Sequence, residues 1–224
     1  MILSPQQCRF FEIFGFLTLP GLFRDEQEQM SRAFDALFEE RQEEVVEWVH
    51  ETHDNRMRRI VTDATDKSDY FRGLLNDPRI CGVASGLLGE GYVYRGSDCS
   101  IYDCGTRYHR DAYGANLSFD NIKMALYLEP LSEQTGAVRV IPGSHHQGGK
   151  FTQNLNKHLE TGFQDLGLST EEVPATVLAC EPGDLLLWNY RLMHATSYGG
   201  NARRMLALEF SERYERDDIV ELDA

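Results

Sequence analysis

The chain has 224 residues, of which 42% are hydrophobic and 11% aromatic, so it can form one sizeable core and is not a disordered chain. Its formal net charge of -14 would repel a phosphate backbone, which disfavours nucleic acid and anionic membranes as partners. No apolar run approaches the roughly 18 residues that a membrane-spanning helix needs.

The cysteines and the first residues indicate the compartment. Cys8, Cys81, Cys99, Cys104 and Cys180 form an odd set without Cys-x-x-Cys spacing, which argues against a disulfide framework and a thiolate zinc site. The N-terminus lacks the basic stretch and apolar run of a secretory signal. We therefore expect reduced cysteines in a cytoplasmic protein.

Residues 1–90 are predicted to be mostly helical. Helices are expected at 5–14, from Asp25 to about Trp48, at 68–75 and at 78–88, with a short strand at 15–20. The long helix is predicted from apolar residues at helical spacing: Met30, Phe34, Leu37, Phe38, Val45 and Trp48.

Beyond Gly91 the pattern changes to period two, in short runs separated by glycine and proline. Strands are predicted near 92–102, 122–128, 136–141, 174–180, 184–189 and 203–210. Closely spaced strands after a helical block predict an antiparallel barrel or a double-sheet jelly roll, with helices packed on one outer face. Residues 145–172 are predicted to be a long irregular stretch.

Three polar residues near strand ends are candidate metal ligands. His109 and Asp111 lie two residues apart in an extended segment, so their side chains point to the same side. His194 follows the apolar strand at 184–189. Two histidines and one carboxylate leave three open positions on an octahedral ion, as non-haem iron(II) oxygenases require. Taken alone, the His-x-Asp pattern more often reflects a hydrogen-bonded histidine at a strand end and a turn aspartate than a metal site.

The order of further motifs around these residues carries a family resemblance. Its elements are His109-x-Asp111, a Gly-x-x-x-x-x-Pro-Gly-Ser-His block ending at His145, the Pro182-Gly183-Asp184 turn, His194, and an arginine about ten residues beyond it. The opening segment 12–23 is similar as well. The chain resembles the phytanoyl-CoA dioxygenase family of iron(II)- and 2-oxoglutarate-dependent oxygenases.

The resemblance implies a single oxygenase domain over residues 1–224, mainly β with N-terminal helices. Residues 91–212 would form a double-stranded β-helix (a jelly roll, cupin-like) that residues 1–90 buttress. The implied cofactors are Fe(II), held by His109, Asp111 and His194, with 2-oxoglutarate as cosubstrate and O2 as oxidant.

The implied reaction is hydroxylation of a small-molecule or natural-product substrate, with release of succinate and CO2. Because Asp111 fills the ligand position that related halogenases leave open for chloride, hydroxylation is favoured over halogenation. Desaturation, epimerisation and cyclisation share the hydrogen-abstraction step and stay open as alternatives.

The resemblance also implies an arginine that binds the distal carboxylate of 2-oxoglutarate, a task suited to the planar guanidinium fork. Arg203 and Arg204 point to opposite faces of one strand. The face of Arg204 also carries Leu206, Leu208 and Phe210, so it is predicted to pack against the helices. We therefore expect Arg203 to face the interior and bind the cosubstrate.

Four other residues are candidates for the same pocket. Lys123 either supplies a second cation to the oxoacid or lies exposed at a sheet edge, and Tyr127 shares its face. Thr196 and Trp188 either line the pocket or only pack, and Thr196 is expected to contribute to cosubstrate binding.

Several conspicuous polar residues are expected elsewhere. His145 and His146 are predicted to lie at the surface, and His50 and His53 on a solvated helix end. The basic island 56–59 is either a solvated face or part of the cleft mouth, where it would meet an anionic substrate.

Three other protein classes fit parts of this pattern. A cupin-type metalloenzyme without 2-oxoglutarate usually carries His-x-His and a glutamate, which do not match the order found. A silent binding domain would lose the ligands, and a zinc hydrolase would stay active with zinc in place of iron.

Overall fold

A computed structural model describes residues 3–49, 57–112, 119–198 and 202–214. Its helices are α1 (Pro5–Phe14), α2 (Gln27–Glu40), α3 (Ala64–Lys67), α4 (Asp69–Leu74), α5 (Pro78–Leu88) and α6 (Lys150–Leu159). Its strands are β1 (Phe16–Leu19), β2 (Val46–Val49), β3 (Met57–Thr62), β4 (Val93–Tyr102), β5 (Thr106–His109), β6 (Asn121–Tyr127), β7 (Val138–Val140), β8 (Thr176–Leu178), β9 (Leu185–Asn189), β10 (His194–Thr196) and β11 (Arg203–Ser211).

The strands form two antiparallel sheets. A large sheet has the order β1-β9-β6-β11-β4-β3-β2, and a small sheet has the order β5-β10-β7-β8. Helices cover the outer face of the large sheet. This is the predicted class, mainly β with N-terminal helices and a jelly-roll, cupin-like double-stranded β-helix.

The strands of the large sheet alternate between two apolar cores. On β11, Leu206, Leu208 and Phe210 pack into the core shared with the helices. Met205 and Ala207 point the other way, into the core between the sheets. Successive strand residues face opposite sides, so a single residue of slip would exchange these two faces. The predicted faces of this strand are confirmed.

The predicted helix from Asp25 to about Trp48 is wrong beyond Glu40. Helix α2 ends at Glu40, and Val46–Val49 forms the edge strand β2, which pairs with β3. The spacing of Val45 and Trp48 imitates a helix, but β-branched and aromatic residues favour a strand when a partner strand is available. The N-terminal block thus contributes two unpredicted strands to the large sheet.

The stretch predicted as irregular, 145–172, contains a helix. Helix α6 packs Leu155 and Leu159 against a third apolar cluster, on the outer side of the small sheet. Phe151, Leu155 and Leu159 recur every four residues, which is helical spacing, so the sequence carried a periodic signal that the prediction of an irregular stretch overlooked.

His145 is also placed differently from its prediction as a surface residue. Its side chain is buried and donates from Nε2 to the carbonyl of Glu12 at 3.0 Å, while the exposed His146 donates to the carbonyl of Ile13 at 3.0 Å. The last carbonyls of a helix lack partners within it, so these two rings cap the C-terminal end of α1. His50 and His53 lie outside the described residues.

None of the described helices is long and apolar enough to cross a membrane. All five cysteines are free thiols, as the sequence predicts. Burial raises the pKa of the Cys180 thiol to about 12, so this side chain behaves as a core residue.

We expect protonation of His145 to destabilise the fold. Burial lowers its pKa from 6.5 to about 4. Between pH 6.5 and pH 4 the imidazole is protonated in the unfolded chain but neutral in the folded chain. The free energy of unfolding therefore keeps its full contribution from His145 above pH 6.5 and decreases as the pH falls towards 4. The largest loss from this residue is about 3 kcal/mol.

Urea unfolding measured from pH 7.5 to 4 checks this expectation. His145→Gln should flatten the pH dependence, and His146→Gln, which alters the exposed neighbour, is the matched control. Equal slopes for the native protein and His145→Gln would contradict the assignment.

Candidate metal centre

The two histidines of the candidate site are brought together by the small sheet. His109 is the last residue of β5 and His194 the first of β10, and the two are paired across the antiparallel ladder. Directly opposed residues lie within about 5.5 Å of each other at their Cα atoms. The two ring centres are accordingly 4.4 Å apart.

Hydrogen bonds fix which nitrogen of each ring faces the pocket. His109 Nδ1 lies 2.8 Å from the carbonyl oxygen of Arg107, and His194 Nδ1 lies 2.9 Å from that of Leu192. A carbonyl only accepts, so each Nδ1 carries the proton and each neutral ring keeps its lone pair on Nε2. This tautomer is the one that binds a metal ion through Nε2.

Asp111 completes the cluster and is held by two donors. The potential ligand atoms of His109, Asp111 and His194 all lie within 4.8 Å of one another. Trp188 Nε1 donates to Asp111 Oδ2 at 2.9 Å, and Lys123 Nζ donates to Oδ1 at 3.0 Å. The carboxylate is buried, so these bonds orient it and supply donors that water would otherwise provide.

The electrostatic surroundings keep the carboxylate ionised. Burial alone would raise the pKa of Asp111, but Lys123, the two histidines and the Trp188 N–H outweigh burial and hold it well below its usual value. Burial lowers the pKa of His194, which favours the neutral ring. An ionised carboxylate and neutral imidazoles are the protonation states that a metal ion requires.

Lys123 occupies the interior rather than a sheet edge. Its ammonium bridges Asp111 Oδ1 and Glu209 Oε1, the latter at 3.4 Å. Burial opposes the charge, but Asp111 and Glu209 raise the pKa of Lys123 well above its usual value. The alternative of an exposed lysine is thereby wrong, whereas its contact with a cosubstrate stays a prediction.

Arg203 is a buried cation at the inner end of the same pocket. Its guanidinium donates to the carbonyl oxygens of Gly136 and Cys104 and lies 3.5 Å from Thr196 Oγ1. Gly136 has a φ of +90°, and a Cβ there would clash with the guanidinium, which explains a glycine at this position. Within the described ranges, no carboxylate forms an ion pair with Arg203.

Arg204 faces away from the pocket. It donates to Glu129, Ser31 and Asp35, the last two of which lie on α2, and so ties β11 to that helix. The neighbouring arginines therefore occupy the opposite sides of the sheet that strand alternation predicts.

Two sequence motifs around the triad form hydrogen bonds that hold neighbouring backbone segments in place. Ser144, in the Pro-Gly-Ser-His block, accepts a 2.8 Å hydrogen bond from the backbone N–H of Met193, directly before His194. Asp184, in the Pro-Gly-Asp turn, accepts a 2.6 Å bond from the N–H of Gly21 and so fixes the N-terminal segment to β9. These residues position backbone rather than contact a ligand.

Arg58 belongs to the basic island 56–59, for which the sequence allowed either a solvated face or a place at the cleft mouth. In the structure its side chain lines the pocket. It donates to Asp98 and Ser100 on the neighbouring strand β4, and its guanidinium stacks over Tyr102. The sequence reasoning did not single out the three β4 residues, although their i, i+2, i+4 spacing places them on one face. Of the remaining island, Arg56 lies outside the described residues.

The candidate ligands, Lys123, Arg203 and Arg58 line one pocket. An inner cavity of about 50 Å³ lies within a total free space of about 510 Å³ that includes the solvent at its mouth. Its walls carry the three candidate ligands together with Arg58, Tyr102, Thr106, Lys123, Tyr127, Val138, Trp188, Thr196, Arg203 and Met205. The arrangement places three candidate metal ligands in one pocket with a buried guanidinium.

The fold and the site together define a double-stranded β-helix protein with a two-histidine, one-carboxylate ligand set. The family model described as phytanoyl-CoA dioxygenase (PhyH) matches residues 11–205, and the chain belongs to this family. No curated protein matches the chain.

Solved structures share the fold at low identity. The non-heme alpha ketoglutarate dependent carbocyclase SnoK from nogalamycin biosynthesis is 20% identical, with a TM-score of 0.75 over 94% of this chain and 84% of that chain. The epimerase SnoN in complex with Fe3+, alpha ketoglutarate and nogalamycin RO is 19% identical, with a TM-score of 0.70 over 98% and 88%. EctD from S. alaskensis is 18% identical, with a TM-score of 0.72 over 96% and 80%.

We expect Trp188→Phe to weaken metal binding. The substitution removes the N–H donor to Asp111 Oδ2 while keeping an aromatic ring, and loss of such outer hydrogen bonds costs about 10- to 100-fold in metal affinity. Titration of the metal-free protein with Co(II), followed by absorption, measures the change. Trp48→Phe alters the chain's other tryptophan and should leave metal affinity unchanged; equal affinities for all three proteins would contradict the role of Trp188.

Proposed function

We propose that the protein is an Fe(II)- and 2-oxoglutarate-dependent dioxygenase that hydroxylates a small organic molecule and releases succinate and CO2. The observation that carries the proposal is one pocket that holds both a three-residue candidate ligand set and a buried guanidinium without a carboxylate partner among the described residues. A buried cation of this kind calls for an anion.

The residues fit both groups. His109, Asp111 and His194 would hold the iron, because two imidazoles and one carboxylate suit Fe(II) and leave positions for other ligands. Arg203 would pair with the distal carboxylate of 2-oxoglutarate, and Thr196 would add a hydroxyl donor beside it. Lys123 is proposed as a second cation near the oxoacid end. The solved complex of SnoN with Fe3+ and alpha ketoglutarate supports this combination.

The chemistry divides between the bound groups and the chain. Bound iron and 2-oxoglutarate together with O2, the oxidant, would supply the oxidation of an unactivated carbon–hydrogen bond. The chain keeps Asp111 ionised and favours the neutral ring of His194. It orients the three candidate ligands through Trp188, Lys123 and backbone carbonyls, and it excludes water with the apolar walls of the inter-sheet core.

Hydroxylation is proposed because Asp111 completes the ligand set. The neighbouring folds include a carbocyclase and an epimerase, so cyclisation, epimerisation and desaturation are the second candidates within the same class. A cupin-type metalloenzyme without 2-oxoglutarate is the remaining alternative. The cupin-type alternative is disfavoured because such an enzyme has no 2-oxoglutarate whose carboxylate Arg203 could bind.

The first test concerns the metal. His109→Ala should lose bound iron and all 2-oxoglutarate-dependent release of succinate, because only two ligands remain. Metal content and succinate are measured on protein reconstituted anaerobically with Fe(II). Iron content and oxygen uptake equal to those of the native protein would disprove ligation by the triad.

The second test separates the two arginines. Arg203→Gln should weaken 2-oxoglutarate binding by about 100-fold, equivalent to roughly 3 kcal/mol, because a bidentate charged pair is lost. Arg204→Gln is the matched control, since it loses only contacts to Glu129 and α2. Anaerobic titration of the Fe(II)-loaded proteins with 2-oxoglutarate, followed by the charge-transfer absorption band, gives both affinities.

Unchanged metal affinity shows that Arg203→Gln is folded. Arg203→Lys, which keeps the charge but not the fork, should give an intermediate affinity. If Arg204→Gln weakened 2-oxoglutarate binding more than Arg203→Gln, the proposed anchor would be wrong.

A further inference from the structure

Arg58 extends the wall of the pocket beyond the residues assigned above. In the large sheet, Arg58 of β3 is paired with Tyr102 of β4, and Tyr102 is paired with Arg203 of β11. Paired residues of neighbouring strands point to the same face, so the three side chains stand in one row. The Tyr102 ring centre lies 4.7 Å from the guanidinium of Arg58 and 5.6 Å from that of Arg203.

The guanidinium of Arg58 is held in a fixed position. Ser100 Oγ accepts from Nη2 at 2.8 Å and from Nε at 3.2 Å, and Asp98 Oδ1 accepts from Nη2 at 3.0 Å. The Trp48 ring of β2 lies 5.7 Å away on the far side. Only 11% of the Arg58 side chain is exposed. A cation that is already ordered loses little further freedom when it binds a ligand.

The charges of the pocket give Arg58 a separate role. Its lining contains the cations Arg58, Lys123 and Arg203 and the carboxylate Asp111. Lys123 is bound to Asp111 and Glu209, and Arg203 is proposed to bind the cosubstrate. Arg58 is paired with Asp98 at 3.0 Å, and it belongs neither to the candidate metal ligands and their hydrogen-bond donors nor to the proposed cosubstrate anchor. A guanidinium carries five N–H donors, so binding to Asp98 and Ser100 does not preclude a further acceptor.

We propose that Arg58 is a specificity-determining residue that binds an anionic group of the substrate, a carboxylate or a phosphate. This inference rests on the proposed function, since it takes Arg203 to be occupied by 2-oxoglutarate. The Trp48 and Tyr102 rings on either side of Arg58 give the apolar part of such a substrate a flat surface. The substrate class is therefore a small organic acid with an apolar or aromatic body.

The experiment compares acids with neutral partners of the same shape. The Fe(II)-loaded protein is saturated with 2-oxoglutarate under anaerobic conditions and titrated by calorimetry. The probes are phenylacetate against phenylacetamide, hexanoate against hexanamide, and phenyl phosphate. The native protein is compared with Arg58→Gln and with Arg59→Gln. The last is the matched control, because Arg59 pairs with Ile101 and points to the helix side of the same strand.

At least one acid should bind the native protein about tenfold or more tightly than its neutral counterpart. Arg58→Gln should abolish that preference and leave the affinity for 2-oxoglutarate unchanged, while Arg59→Gln should behave as the native protein. Arg58→Lys, a milder change, should keep part of the preference. The acid that binds most tightly decides between carboxylate and phosphate.

Two results would overturn the inference alone. One is that no acid in the set binds the native protein more tightly than its neutral partner. The other is that the preference persists in Arg58→Gln, with 2-oxoglutarate bound normally in both cases. Failure of 2-oxoglutarate itself to bind the Fe(II)-loaded native protein would instead overturn the proposed function, and this inference with it.

Discussion

The antiparallel pairing of His109 with His194 is the contact on which the geometry of the site depends. It joins the end of β5 to the start of β10, so the two imidazoles meet although 85 residues separate them in the sequence. Asp111 then follows His109 closely enough to reach the same point. The backbone ladder, rather than any long side chain, determines the distances between the candidate ligands, and this gives a rigid base for metal binding.

The large sheet forms the opposite wall of the pocket, because successive side chains along its strands point alternately outward and inward. Outward residues such as Leu206 and Leu208 are committed to the core with the helices, which leaves inward positions for charged groups. Arg203, Lys123 and Glu209 are accommodated there because each meets polar partners in the interior. The stability of the outer core thus compensates for burying charges on the inner face.

The sequence predicted these features unequally, for physical reasons. The faces of β6 and β11 followed from period two because each strand is long and separates two different environments. Strands β5 and β10 are too short to show a pattern, and β2 was mistaken for helix because Val45 and Trp48 also fit helical spacing. The ordered motifs indicated the triad, but the bonds from Trp188 and Lys123 to Asp111 join residues distant in sequence, which periodicity cannot reveal.

The large sheet is wider than the small one, and its last two strands, β3 and β2, lie beyond β4 at one edge. We therefore expect substitutions on the inner face of β2 and β3 to leave the candidate metal centre and the proposed cosubstrate anchor intact. If the proposed function holds, this separation would allow substrate choice to be changed at the edge of the sheet without altering the candidate metal centre.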